Sequence, residues 1–183
     1  MKKNFVLIVL FLLFVISGFS QKYIAKNGHI WFYSHTPMED IEAHNHQVVS
    51  ILDISTGDIV FNLLMKSFEF QRTLMQEHFN ENYVESDKFP KAMFKGKITN
   101  LSQIDFKKDG EYKAHVEGDI TIHGVTKKLS VDGTFTVKGG EVTAKSDFTI
   151  APKDFDIKIP SLVENKIGKE METHVDITYS ANN

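Results

Sequence analysis

The stretch YKAHVEGDITIH (Tyr112–His123) decides the fold, because apolar or small residues alternate with polar residues at every step. A period of two is typical of a β-strand with one face against a core and the other in water. The same alternation returns from Leu129 to Val137, after a turn that begins at His123-Gly124. It appears again from Val142 to Ile150 and from Met171 to Tyr179. The pattern therefore predicts long antiparallel strands joined by short turns.

Upstream of this stretch, four more segments are predicted to be strands: His29–His35, His46–Ile54, Ile59–Lys66 and Ala92–Leu101. A polar connection is expected between the first two, from Met38 to Ala43, and a longer loop is expected from Pro152 to Lys169. About eight strands in hairpin order are typical of an antiparallel meander that closes on itself. We therefore predict an all-β protein with an antiparallel eight-stranded β-barrel, whose interior is filled by side chains or holds one small ligand.

One short helix is predicted in the segment Phe70–Gly96. Thr73 to Gln76 has the spacing of a capping box, in which the Thr hydroxyl and the Gln side chain satisfy backbone amides at the helix start. Met75, Phe79 and Tyr83 then recur every four residues and form an apolar stripe. Pro90 cannot continue a helix. We expect this helix to lie as a plug against the mouth of the barrel.

The amino terminus has the pattern of a secretory signal peptide. Lys2 and Lys3 precede a continuous apolar run from Phe5 to Ile16, and small residues follow before a cut expected near Ser20-Gln21. The run is shorter than the roughly 20 residues needed to span a bilayer. We expect residues 1–20 to be removed and residues 21–183 to form one soluble domain, periplasmic or secreted.

The composition excludes several classes of function. The chain has no cysteine, so disulfides and thiol catalysis are excluded. Its formal charge of −3 becomes −5 without Lys2 and Lys3, which is unfavourable for binding nucleic acid. Sequence motifs of serine hydrolases, zinc proteases and phosphate-binding loops are absent. We expect no catalytic residues and no cofactor.

Small residues are frequent at the predicted dry face, and they admit two interpretations. They could leave the barrel interior partly empty, or they could relieve crowding where strands bend. The alternation does not decide between these two. The residues concerned are Gly96, Ala114, Gly118, Gly133, Ala144 and Ser146.

Several segments together resemble the YceI-like (polyisoprenoid-binding) family. The segments are Leu74–Phe79, Asp87–Phe94, Val116–Lys127, Asp147–Ile150 and Asp154–Ile157, in the family's order. The resemblance implies a lipocalin-like barrel with a helix near one end, an export signal and an elongated apolar tunnel for a long isoprenoid or similar amphiphile. The chain departs from the family's pattern at Glu42–His46, so ligand identity is the property that transfers least.

The resemblance and the alternation together suggest an exported protein, monomeric or homodimeric, that carries or shields a long-chain lipid. For each candidate contact residue the alternative is ordinary core packing, and the functional interpretation concerns them as a set. The candidate lipid-binding residues are Phe61, Leu63, Met75, Phe79, Phe94, Val116, Ile120, Val131, Phe148, Ile150, Val175 and Ile177.

Two alternatives remain at this stage. His44 and His46 are two residues apart, so on a strand both imidazoles point to one side, and His29 and His35 could complete a metal or metalloenzyme site. A solvated, metal-free pair is the more ordinary interpretation, and no metal ligands are predicted. The second alternative is a stress-protective scaffold whose barrel is filled by its own side chains.

Overall fold

The computed structural model describes residues 22–181, so the predicted signal peptide lies outside the described residues. The strands are β1 (Lys22–His35), β2 (Asp40–Asp53), β3 (Asp58–Leu64), β4 (Glu69–Phe70), β5 (Lys91–Ile98), β6 (Gly110–Ile122), β7 (Val125–Lys138), β8 (Glu141–Ile150) and β9 (Met171–Ala181). The helix α1 (Thr73–His78) lies between β4 and β5 and continues as one π-helical turn, Phe79–Tyr83. Within residues 22–181, no helix has the length and apolar character needed to cross a membrane.

Eight of the strands form a closed antiparallel barrel, as predicted. Their order around the barrel is β1-β9-β8-β7-β6-β5-β3-β2, and β2 pairs with β1 to complete the ring. The two-residue strand β4 adds to β2 outside the ring. Closure leaves each long strand paired on both sides, which removes the exposed sheet edges that promote aggregation.

The longest alternating segments form the best-matched pair of strands. β6 and β7 pair in continuous register from Gly110 opposite Val137 to Ile122 opposite Val125. The two-residue turn between them, His123 and Gly124, has φ values of 52° and 75°. Positive φ at both positions gives a turn whose twist matches that of the flanking strands.

The first two strands are longer than predicted. β1 begins at Lys22 rather than His29, and β2 begins at Asp40, inside the segment expected to be an irregular connection. Polar residues in these extensions obscured the alternation, yet the extensions pair with each other and β1 also pairs with β9. Backbone hydrogen bonds to distant strands therefore set these boundaries, and a local pattern does not report such pairing.

The helix is short and faces the barrel, but the predicted capping box is wrong. Arg72 occupies the N-cap position without a side-chain cap, and Thr73 is already the first helical residue. The Gln76 side chain instead accepts a hydrogen bond from the backbone amide of Phe70, at 3.3 Å. Phe70, the last residue of β4, is therefore joined to the first turn of α1 by this backbone-to-side-chain bond instead of by a capping box.

One end of the barrel is filled by its own buried side chains. Large side chains fill the end formed by the start of β1 and the end of β9, among them the fully buried Leu52, Val142 and Tyr179. The Tyr179 hydroxyl lies 2.7 Å from the Ser50 hydroxyl, which donates to the carbonyl of Val60 at 3.0 Å. Burial raises the pKa of Tyr179, so its hydroxyl stays protonated and can act as a donor.

Candidate functional site

Away from this packed end, the barrel contains a cavity. An apolar cavity of about 560 Å³ extends from the middle of the barrel towards α1, and its wall is built almost entirely of aliphatic and aromatic side chains. Its size lies within the range of roughly 300–1,000 Å³ typical of ligand pockets. The alternative of a scaffold whose barrel is completely filled by its own side chains therefore does not describe the interior formed by residues 22–181.

Eleven of the twelve candidate lipid-binding residues line this cavity. They are Phe61, Leu63, Met75, Phe79, Phe94, Val116, Ile120, Val131, Phe148, Ile150 and Val175. Ile177 does not line it and is fully buried in the packed core. Its Cδ1 occupies the space beside Gly28, only 2.1 Å from where a Cβ on that glycine would lie. Whether the eleven contact a ligand stays a prediction.

An aromatic cluster lies beneath the helix, and three of its four residues were not predicted from the sequence. Phe32, Phe68 and Phe70 surround Phe79, with ring centroids 5.9, 5.6 and 5.0 Å from it, and all four line the cavity. Phe68 precedes β4 and Phe70 is the second of its two residues, and a strand of this length is too short to show a period. Their aromatic character so close to a predicted helix was the one available signal. The cluster forms the apolar roof at this end of the cavity.

Some of the charged side chains in the cavity lining lie near the start of α1. Glu39 and Arg72 form an ion pair between the β1–β2 turn and the start of α1. His78 and Lys166 also contribute to the lining, as does Leu74, which is 60% exposed. This arrangement suits an amphiphile, whose chain is buried while its polar end stays near water.

The small residues of the dry face divide into two groups, so both sequence interpretations hold locally. Gly96 and Gly118 lie beneath the Phe94 ring, which would be 2.4 and 2.8 Å from Cβ atoms at these positions. These glycines therefore relieve crowding. In contrast, Ala114, Ala144 and Ser146 line the cavity and keep it wide. Gly133 belongs to both groups, because it lines the cavity and a Cβ there would lie 2.8 Å from the carbonyl oxygen of Lys145.

A second group of residues lies on the outer surface of the barrel. His29 joins His44 and His46, as the sequence suggested, and one nitrogen from each ring lies within 4.8 Å of the others. His35, the fourth candidate, is not part of this group, and its Nδ1 instead lies 2.5 Å from the Asp40 carboxylate. Burial, reinforced by the neighbouring His46 and His44, lowers the pKa of His29.

Comparisons with known proteins identify the architecture. Residues 25–180 match the family model of the YceI-like domain. Among solved structures, the chain is similar to a polyisoprenoid binding domain from Saccharophagus degradans, with a TM-score of 0.77 and 11% identity over 89% of this chain and 99% of that one. It is also similar to Burkholderia cenocepacia BcnA, with a TM-score of 0.70 and 14% identity over 84% and 96% of the two chains.

A third similar structure is the YCEI protein of Campylobacter jejuni, with a TM-score of 0.56 and 14% identity over 75% of this chain and 81% of that one. At these identities the structural likeness establishes the fold alone. No curated protein matches the chain significantly.

Proposed function

The chain belongs to the YceI-like domain family, and from this membership and its apolar cavity we propose that it binds a long-chain apolar amphiphile of isoprenoid type inside the barrel. The observation that carries the proposal is the cavity itself, because a closed barrel packed at one end and hollow at the other has left apolar surface unfilled. The Saccharophagus degradans relative is called a polyisoprenoid binding domain, which supports the isoprenoid class of ligand.

Burial of the chain supplies enough free energy for such binding. Each isoprene unit that enters the cavity removes four or five carbons from water, worth about 3–4 kcal/mol at the usual gain per methylene. Association costs roughly 4–15 kcal/mol in lost freedom of motion. A few buried units therefore suffice for micromolar affinity without a covalent bond. The proposed role is binding and carriage rather than catalysis.

We further propose that the protein works outside the cytoplasm, on the basis of the signal-peptide pattern before Gln21. Long-chain lipids do not dissolve in an aqueous compartment outside the cytoplasm, and binding in an apolar cavity would shield them from water. Mass spectrometry of the protein recovered from the producing cell tests this part, because cleavage near Ser20-Gln21 would shorten the chain by about 20 residues. A full-length product would contradict it.

The binding proposal is tested by blocking the cavity. Val131 lies on β7 and lines the cavity wall, so Val131→Trp would place a large ring in the space proposed for the ligand. Native mass spectrometry of protein prepared without detergent should show a co-purifying organic mass in the wild type. Val131→Trp should lose it, and uptake of a polyprenyl phosphate by delipidated protein should weaken by at least about tenfold, or 1.4 kcal/mol.

Ser130→Trp is the matched control. Ser130 is the preceding residue on β7, and it faces outward, where its hydroxyl contacts His115 at 3.1 Å. The same ring on the outer surface should leave uptake unchanged, and circular dichroism shows whether both variants keep the barrel. The proposal fails if the wild type neither co-purifies with nor takes up such a ligand, or if folded Val131→Trp binds it as well as wild type.

A further inference from the structure

The outer face of the β1–β2 hairpin brings three imidazoles together, on the opposite side of the sheet from the cavity. His29 Nε2 lies 2.9 Å from His44 Nδ1. The His29 and His46 rings stack at 4.1 Å between centroids, and the His44 and His46 rings are parallel within 3°. His29 and His44 are half-buried, whereas His46 is exposed. Among the described residues, these three histidines are the group of potential metal ligands whose nitrogens lie within 4.8 Å of one another.

The strand geometry explains why the three meet. Side chains alternate along β2, so His44 and His46 point outward while Ala43 and Asn45 are fully buried. On β1, His29 lies where the register shifts, because Gly28 pairs with Val48 but Ile30 pairs with Asn45. Two steps on β1 thus oppose three on β2, a bulge of the kind that redirects side chains. His29 is thereby brought beside both histidines of β2.

We propose that His29, His44 and His46 bind one divalent late first-row transition-metal ion, such as Zn²⁺ or Cu²⁺, on the outside of the barrel. Imidazole nitrogens in the absence of thiolates are the ligands that such ions accept readily. Nothing in the proposed lipid binding requires this site, and neither proposal depends on the other.

The separations are close to those of a metal site. Two nitrogens bound to a tetrahedral zinc ion at 2.0–2.1 Å lie about 3.3 Å from each other. His29 and His44 already lie at 2.9 Å, and the exposed side chain of His46 can rotate to close the remaining distance. The ion would replace the proton that His29 and His44 now share. Three nitrogens on one side leave the outer position open to water.

A carboxylate contacts the ring nitrogen of His44 that does not face His29. Glu42 Oε1 lies 3.1 Å from His44 Nε2. In the tautomer that donates from Nε2 to Glu42, the Nδ1 of His44 presents its lone pair to the proposed ion. Carboxylates that hold the second nitrogen of a histidine in this way orient the ring and increase its basicity. Asp176, opposite His29 on β9, adds negative charge to the same face.

The fluorescence of Trp31 can report metal binding at this site. Trp31 is the only tryptophan in the chain, and its ring stacks on His29 at 4.4 Å and lies 6.3 Å from His44. A paramagnetic Cu²⁺ ion held by these histidines would lie within a few ångströms of the indole and quench its fluorescence. Titration with Cu²⁺ should therefore give a saturable loss of Trp31 emission at one ion per chain.

The test compares single-site variants by fluorescence and by calorimetry with Zn²⁺ and Cu²⁺. His29→Gln, His44→Gln and His46→Gln should each weaken binding by at least about tenfold, since even an outer-shell partner contributes 10–100-fold. Glu42→Gln should weaken it less than these. Zn²⁺ should raise the melting temperature of the wild type, because it links two strands of the folded state and not of the unfolded chain.

His35→Gln is the matched control, because His35 lies on the outward face of the same strand but pairs with Asp40. It should bind Zn²⁺ and Cu²⁺ like the wild type. Circular dichroism before addition of metal identifies any variant that fails to fold, and lipid uptake by all variants should match the wild type. The proposal is overturned if the wild type shows no saturable binding, or if His35→Gln weakens it as much as the three substitutions in the cluster.

Discussion

Gly96 and Gly118 face each other across β5 and β6, and their lack of side chains decides how close these strands and the Phe94 ring can come. A Cβ on Gly118 would lie 2.3 Å from the carbonyl oxygen of Lys95 and 2.5 Å from the Cα of Gly96. Both neighbours are backbone atoms, which cannot rotate away. A glycine on the dry face of a strand is thus a packing requirement here, not a weakness in the sheet.

We therefore expect Gly118→Ala to lower the free energy of unfolding by about 1–3 kcal/mol, the usual cost of overpacking. Urea denaturation followed by circular dichroism measures this. Gly110→Ala is the control, because at the start of β6 the nearest atom to a new Cβ is the Tyr112 hydroxyl, at 3.3 Å. If the two variants lose the same stability, the close approach of β5 and β6 is not what Gly118 serves.

Residues 73–89, which contain α1 and the π-helical turn and are called the helical segment below, are held against the barrel by His123, in the turn between β6 and β7. Its Nε2 lies 2.8 Å from the Glu85 carboxylate and its Nδ1 lies 3.0 Å from the carbonyl of Phe155. Phe89 packs edge-on against the ring at 4.5 Å, and the side chain is only 10% exposed. One residue therefore joins the helical segment, the β6–β7 turn and the loop after β8.

Replacing His123 should weaken the attachment of the helical segment, which covers one end of the cavity, without unfolding the barrel. In His123→Ala, amide hydrogens of residues 73–89 should exchange about tenfold faster, since a hydrogen bond to a charged group contributes roughly 1.5–3 kcal/mol. Hydrogen exchange with mass spectrometry measures it. Asp119→Asn breaks an exposed pair with Lys128 on the same two strands and should change nothing. Equal exchange in both variants would show that His123 does not hold the roof.

The elements also show what a local pattern can and cannot predict. Tyr112–Ile122 alternates so regularly that its strand and its inward face were predictable residue by residue. Thr73 had the spacing of a cap, yet the chain enters the helix one residue earlier, at Arg72, because the pairing of β4 with β2 fixes Phe70. Boundaries set by contacts between distant segments are not encoded in spacing.

For the molecule as a whole, the closed barrel was predictable but the division of its interior was not. Val116 faces the cavity and Val142 lies in the packed end, although both occupy the same kind of apolar position in an alternating strand. Whether such a position borders the cavity or the packed end depends on the total volume of the side chains that point inward at the same height along the barrel axis. That volume depends on which strands are neighbours. Likewise, His44 and His46 were predicted to share a face, but the position of His29 beside them depends on a bulge.

The packed end and the cavity should then respond differently to substitution, because we expect the packed end to determine stability and the cavity to determine binding. Tyr179→Phe removes the hydroxyl that bonds Ser50 and should cost about 0.5–1.5 kcal/mol of unfolding free energy, while lipid uptake remains that of the wild type. Tyr112→Phe removes a hydroxyl that donates to the Lys108 carbonyl in an exposed turn, where water replaces it, so its cost should be smaller. Urea denaturation and uptake assays on the same preparations measure both properties. Reduced uptake by stable Tyr179→Phe would mean that the packed end and the cavity act as one unit.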